Sequence, residues 1–102
     1  DKRHAILLDD VEDADLNGIN CLPGTEANAL IRLSQTRNVL IRGCNPRSDK
    51  GTFLKVDGEN SSGITLLGND FSKVAQVEEL AGEVPASALR QSGNFRPDVM
   101  DK

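Results

Sequence analysis

Ala29-Leu30-Ile31-Arg32-Leu33 and Thr52-Phe53-Leu54-Lys55-Val56 are the stretches whose reading decides the fold. Both alternate with period two, and Arg32 and Lys55 hold the same outward slot. Such alternation marks a strand with one buried face. Residues 5–22 laid over residues 53–70 extend the likeness without a gap. Ile6 falls on Leu54, Leu8 on Val56, Asp9 on Asp57, Leu16 on Ile64, Gly18 on Leu66 and Cys21 on Asn69. A third copy, from Leu30 to about Pro46, has a middle turn two residues shorter. There Ile31 and Leu33 match the first segment, Val39 and Ile41 the second, and Cys44 the position of Cys21 and Asn69. The copies recur every 23 to 25 residues, the mark of a stacked repeat.

Each unit reads as two short strands joined by a polar turn. The turns fall at residues 9–15, 34–38 and 57–63, and the second strands at 16–19, 39–42 and 64–67. Long 3.6-period patterns are missing until the C-terminal third. Two strands per unit with no helix between them predict an all-β fold, a right-handed parallel β-helix of about three coils: residues 5–24, 28–50 and 52–74. Stacking at the roughly 4.8 Å strand spacing sets equivalent side chains over one another. The predicted inner columns are Ile6/Ile31/Leu54, Leu8/Leu33/Val56, Leu16/Val39/Ile64 and Gly18/Ile41/Leu66, with Cys21/Cys44/Asn69 at the bend. Phe53 points outward by alternation, and Phe71 follows the last bend.

A leucine-rich repeat is the rival. Ile64-x-Leu66-x-x-Asn69-x-Phe71 fits its core pattern, and Val39-x-Ile41-x-x-Cys44 fits the Cys variant. Three positions earlier that pattern wants an apolar residue, and Asp13, Thr36 and Ser61 stand there. The β-helix is preferred. Residues 75–93 break the repeat and are expected to cap the last coil, with one further edge strand at Val77-Glu78-Glu79-Leu80 and a short helix over residues 85–91 behind Pro85. Residues 94–102 are expected to be a flexible tail.

With 102 residues the chain has room for one small domain. Its three Phe, without Trp or Tyr, leave few faces on which sugars or bases could stack. A net charge of −4 argues against a general nucleic-acid or anionic-membrane binder. No apolar run approaches the roughly 20 residues of a membrane helix. Asp1-Lys2-Arg3-His4 does not read as a signal peptide, so any targeting segment is expected to be removed or to lie outside this sequence.

Ala29-Leu30-Ile31-Arg32-Leu33, Asn38-Val39-Leu40-Ile41-Arg42-Gly43-Cys44 and Gly63-Ile64-Thr65-Leu66-Leu67-Gly68-Asn69-Asp70 resemble the late coils of pectin-lyase-like β-helix proteins, above all bacterial relatives of the polygalacturonase-type glycoside hydrolases. The resemblance spans about residues 4–74. It implies a parent protein that acts on pectic polysaccharide and is secreted or periplasmic. The family's catalytic pattern is N-T-D, D-D, G-H-G and R-I-K in that order. Asp9-Asp10 is the only D-D pair here, and neither later triplet follows it. No catalytic residue carries over. The resemblance therefore implies non-catalytic C-terminal coils and cap, structural in role. The expected partners are upstream coils or a second copy joining the uncapped edge near residues 6–8, with polysaccharide a further candidate. No cofactor is expected.

Asp9, Asp10, Glu12, Asp13 and Asp15 crowd seven positions. A carboxylate pair is what glycoside hydrolysis needs, but only Val11 and Ala14 interrupt this run, and a solvated turn is preferred. Asp13-x-Asp15-x-Asn17-Gly18 opens like a calcium loop, yet Gly24 stands where a bidentate Glu is required, so no metal site is assigned. Residues 1–24 carry a charge of −4 and residues 25–51 a charge of +3. Neighbouring coils therefore attract, with Arg37 near the acidic run setting register. Arg32, Arg42, Arg47 and Lys50 could form an anion-binding strip only if they shared a face, which the alternation opposes. Cys21 and Cys44 are expected to stack as thiols, although strand spacing would also admit a disulfide. His4 is expected at an edge. Asn60-Ser61-Ser62 is a glycosylation sequon on a turn.

Overall fold

The computed structural model describes residues 6–19, 29–46 and 48–95. Eight strands lie in it: β1 (Ile6–Asp9), β2 (Glu12–Asn17), β3 (Ala29–Ser34), β4 (Arg37–Arg42), β5 (Ser48–Asp57), β6 (Ser62–Leu67), β7 (Val74–Leu80) and β8 (Leu89–Ser92). A three-residue 3-10 turn, Ala86–Ala88, precedes β8. The strands deal themselves alternately into two sheets, ordered β1-β3-β5-β7 and β2-β4-β6-β8. All the pairings between them are parallel. The fold is all-β. Its second sheet departs from the single concave sheet of the leucine-rich alternative.

An odd strand and the even strand after it form one rung. Two residues, Asp10-Val11 and Gln35-Thr36, turn the first two corners. Asp10 and Gln35 take positive φ there, 59° and 52°, at the bend that carries the chain from one sheet into the other. Gly58 does the same in the third rung at φ 94°, where a Cβ would come within 2.7 Å of the Gln35 backbone nitrogen. Only glycine fits that approach. The parallel ladder runs on through the corners, with Asp10 N–H bonding the Ser34 carbonyl at 2.9 Å and Arg37 N–H the Val11 carbonyl at 3.0 Å.

In the first sheet the expected columns form: Ile6 pairs with Ile31 and Ile31 with Leu54, and Leu8 with Leu33 and Leu33 with Val56. The second sheet corrects the reading by two residues. Ala14, not Leu16, stands over Val39 and Ile64, and Leu16, not Gly18, stands over Ile41 and Leu66. Among the first three rungs the surplus pair of turn residues belongs to the third alone, so β2 begins at Glu12 and residues 12–15 are strand rather than turn. Gly18, Gly43, Gly68 and Gly93 then recur at intervals of 25. Each ends a strand of the second sheet in the left-handed conformation, φ 74°, 63°, 62° and 67°.

The edge strand expected at Val77-Glu78-Glu79-Leu80 lies within β7, and the chain after it extends the stack instead of covering it. β7 pairs with β5 and β8 with β6, and Ala86–Ala88 is all that forms of the expected helix. Residues 94 and 95 continue the order, since Phe95 bridges Asp70 in parallel; residues 96–102 of the expected tail lie outside the described residues.

Leu30, Ile31, Leu33, Ile41, Leu54, Val56, Ile64 and Leu66 are fully enclosed. Phe53 is buried too, against the expectation from alternation. Thr52, Phe53 and Leu54 are buried in succession, as are Leu30 and Ile31 on β3, and Val77 is buried on β7, so the outward slot is itself covered at this level. Phe53 meets Phe71 with ring centroids 4.8 Å apart and planes at 51°, a tilted arrangement suited to the ring quadrupoles.

Candidate functional site

The acidic run lies along the outermost rung. β2 carries Asp13, Asp15 and Asn17 outward and Ala14 and Leu16 toward the core. Its carboxylates are matched from the rung below: Arg37 reaches Asp10 at 3.4 Å, Arg42 reaches Asp15 at 3.0 Å, and the Asn38 amide donates to Asp13 at 2.6 Å. Arg37 thus sits where a register-setting charge was expected. Exposed pairs of this kind contribute at most about 1 kcal/mol each. They give the rungs a preferred neighbour more than they give the fold stability.

Asp13 adopts φ 64° within its strand, and Asn38 and Gly63 beneath it adopt 60° and 65°. Asp, Asn and Gly are the residues that tolerate this conformation. The Asp13-x-Asp15-x-Asn17 spacing therefore lies along a strand rather than around a calcium loop. Among the described residues no three His, Cys, Asp or Glu side chains converge as metal ligands.

The basic strip divides. Arg32 belongs to the first sheet and Arg42 to the second, and each is engaged by a carboxylate, Arg32 with Asp57 at 2.8 Å and Arg42 with Asp15 at 3.0 Å. Arg47 and the Lys50 side chain lie outside the described residues, as does His4. Burial works to raise the Asp57 carboxyl, but hydrogen bonds from Ser34 and Arg32 and the charges of Arg32 and Lys55 hold it below the ordinary carboxylate value. Asp70 is lowered by the Ser72 hydroxyl and N–H. Glu83 is lowered by the Gly58 N–H, which donates to its Oε2 at 2.9 Å.

A polar column occupies the bend after each even strand. The Cys44 N–H donates to Asn69 Oδ1 at 3.0 Å, and the Asn69 N–H donates to Asn94 Oδ1 at 2.8 Å. The same two amides donate back to the Ile41 and Leu66 carbonyls at 3.1 and 2.9 Å. Each asparagine satisfies backbone groups that the bend removes from the ladder. The column begins with Ile19, whose N–H meets Cys44 Sγ at 3.3 Å. Ile19 therefore takes the place over Cys44 that was expected of Cys21, which lies outside the described residues. Asn94, 25 residues after Asn69, was missed as a member; the glycine before each bend residue was the signal.

Two features escaped sequence reasoning altogether. The inner columns end in Glu78, paired with Leu54, and Gln91, paired with Leu66; Gln91 Nε2 donates to Glu78 Oε1 at 2.8 Å. Beside them an open depression of about 310 Å³ is lined by Gln91, Ser92, Gly93 and Asn94, none of them an acid or a base for glycoside hydrolysis. Of the sequon, Asn60 is exposed and Ser61 buried.

Compared with protein-family models, curated proteins and solved structures, the chain gives no match. No helix among the described residues is long and apolar enough to cross a membrane.

Proposed function

We propose that the two sheets are walls of a right-handed parallel β-helix, and that this chain supplies the non-catalytic C-terminal coils of a carbohydrate-active, polygalacturonase-like protein. The observation that carries the reading is the vertical register of Leu8, Leu33 and Val56. It repeats in the other sheet with short corners between, the arrangement of stacked units that cannot bury an inner face alone. The acidic run fits the structural role, since Asp10 and Asp15 hold arginines of the next rung. The right hand follows the general chirality of parallel crossovers. The partner of the β1–β2 edge is a further coil, from a longer protein or from a second copy. Pectic polysaccharide is the substrate class of the parent, reached through the sequence resemblance alone.

Three measurements test this. A crystal structure reads the hand of the winding, and a left-handed course overturns the β-helix assignment. Assayed on polygalacturonate, the chain should release no reducing ends; hydrolysis lost in Asp9→Asn or Asp10→Asn would assign catalysis to this chain. Sequencing the coding region around it should reveal further coils bearing the catalytic triplets, and an unrelated neighbouring sequence would refute the parent.

A further inference from the structure

The two ends of the stack differ. At the β7–β8 end two inner columns finish in polar side chains, Glu78 and Gln91, bonded to each other across the sheets. At the β1–β2 end the same columns finish in Ile6 and Leu16, each only half-buried although Ile31 and Ile41 beneath them are fully enclosed. Among the described residues no strand pairs with the outer edge of β1 or β2, and Leu7 on β1 is 55% exposed.

The rim of that end holds Asp9, Asp10, Glu12, Asp13 and Asp15, with no Lys or Arg among residues 6–19; Asp10 and Asp15 pair with Arg37 and Arg42 of the next rung, which leaves Asp9, Glu12 and Asp13 to carry the rim's remaining charge. Arg32 illustrates how a rung neutralises the next. It stands in register with Leu7 on one side and Lys55 on the other, and its guanidinium reaches Asp57, two residues beyond Lys55. Asp9 lies two residues beyond Leu7. A basic side chain in register over Leu7 would reach Asp9 as Arg32 reaches Asp57.

We propose that the β1–β2 edge is a docking site for a basic, strand-forming polypeptide segment that adds one parallel strand to each sheet, with apolar residues over Ile6 and Leu16 and Lys or Arg over Leu7. The proposal rests on the reading of this chain as coils of a longer stack, and it names the chemistry of the coil that joins. A second copy fits less well. Head to tail, it sets Leu80 over Leu8, Leu89 over Ala14 and Arg90 over Asp15, but it also sets Glu78 over Ile6, Gln91 over Leu16 and Glu79 over Leu7 beside Asp9. Edge to edge, two acidic rims face each other. Backbone pairing supplies attraction in strand addition, and side-chain pockets supply the choice of partner.

The probe is a synthetic peptide of residues 29–46 with Cys44→Ser, which carries Arg32 in the required slot, titrated against the full chain by fluorescence anisotropy. Binding should weaken with salt, the Arg32→Glu peptide should bind about fivefold more weakly, and Asp9→Lys in the chain should reverse that preference. Equal binding of the two peptides would overturn the charge rule while the added coil stands. Binding of neither, to a chain that melts cooperatively, would overturn both. Dimerisation of the chain alone in sedimentation would replace the occupant with a second copy.

Discussion

Glu78 and Gln91 lie in different sheets, 13 residues apart in sequence, and join across one end of the stack by a 2.8 Å hydrogen bond. Each stands directly below a fully buried leucine, Leu54 and Leu66. Polar side chains in these two slots end two of the inner columns, while the other two end in half-buried Leu80 and Leu89. An exposed parallel edge otherwise invites pairing with another chain.

Replacing both residues by leucine should therefore leave the rungs folded and make the end adhesive. Light scattering should show concentration-dependent association of the double variant Glu78→Leu/Gln91→Leu under conditions where the parent chain does not associate. A monomeric double variant would mean that the polar pair does not guard the end.

Asn69 is buried and serves three neighbours, the Cys44 N–H, the Ile41 carbonyl and Asn94. Asn69→Ala strands backbone groups at the bend, at about 1–3 kcal/mol for each buried group left without a partner. Its melting temperature should fall by about 10 °C, at the roughly 4–8 °C per kcal/mol of a domain this size. Asn94→Ala, at the less buried end of the column, should lose less in the same thermal melt.

Thr36 offers the opposite case. It is fully buried, and its hydroxyl has no hydrogen-bond partner. Val11 holds the equivalent corner one rung away. Thr36→Val keeps the shape and removes the unsatisfied hydroxyl, so urea denaturation should show a gain of about 1 kcal/mol.

Asp57 ties acid stability to Arg32. Its carboxyl is held below the ordinary value in the folded chain, so the folded state binds its proton less readily than the unfolded state does. The stabilisation is complete above the ordinary carboxylate range and is lost as pH falls through the lowered folded value. Melting temperatures of the parent and Asp57→Asn should differ most near neutrality and converge in strong acid. A gap that stays constant with pH would detach Asp57 from the acid transition.

How much of this was legible depended on which residues carried the pattern. The first sheet was readable because Ile6, Ile31 and Leu54 and the residues two further on are large, apolar and regularly spaced. β2 was not, because Ala14 is small and sits between Asp13 and Asp15, so Leu16 drew the alignment two residues too far. Of the last rung only the edge strand at residues 77–80 was legible; β8 was hidden for a related reason, since its inner slot holds Gln91, which no search for apolar columns selects. The enclosure of Phe53 depends on contacts such as that with Phe71, long-range packing that local alternation does not encode. Among possible site residues, the Arg37–Asp10 contact was foreseeable from charge alone. The asparagine at position 94 needed the 25-residue spacing of the glycines.

The third corner holds two residues more than the corners above it, yet strands on either side of it keep their registers with the rung before. Glu59 and Asn60, both exposed, absorb the difference as an outward loop. Length at this point is thus uncoupled from the pairing of the strands on either side. A foreign sequence spliced between Glu59 and Asn60 would be displayed at the surface, with the scaffold beneath it undisturbed.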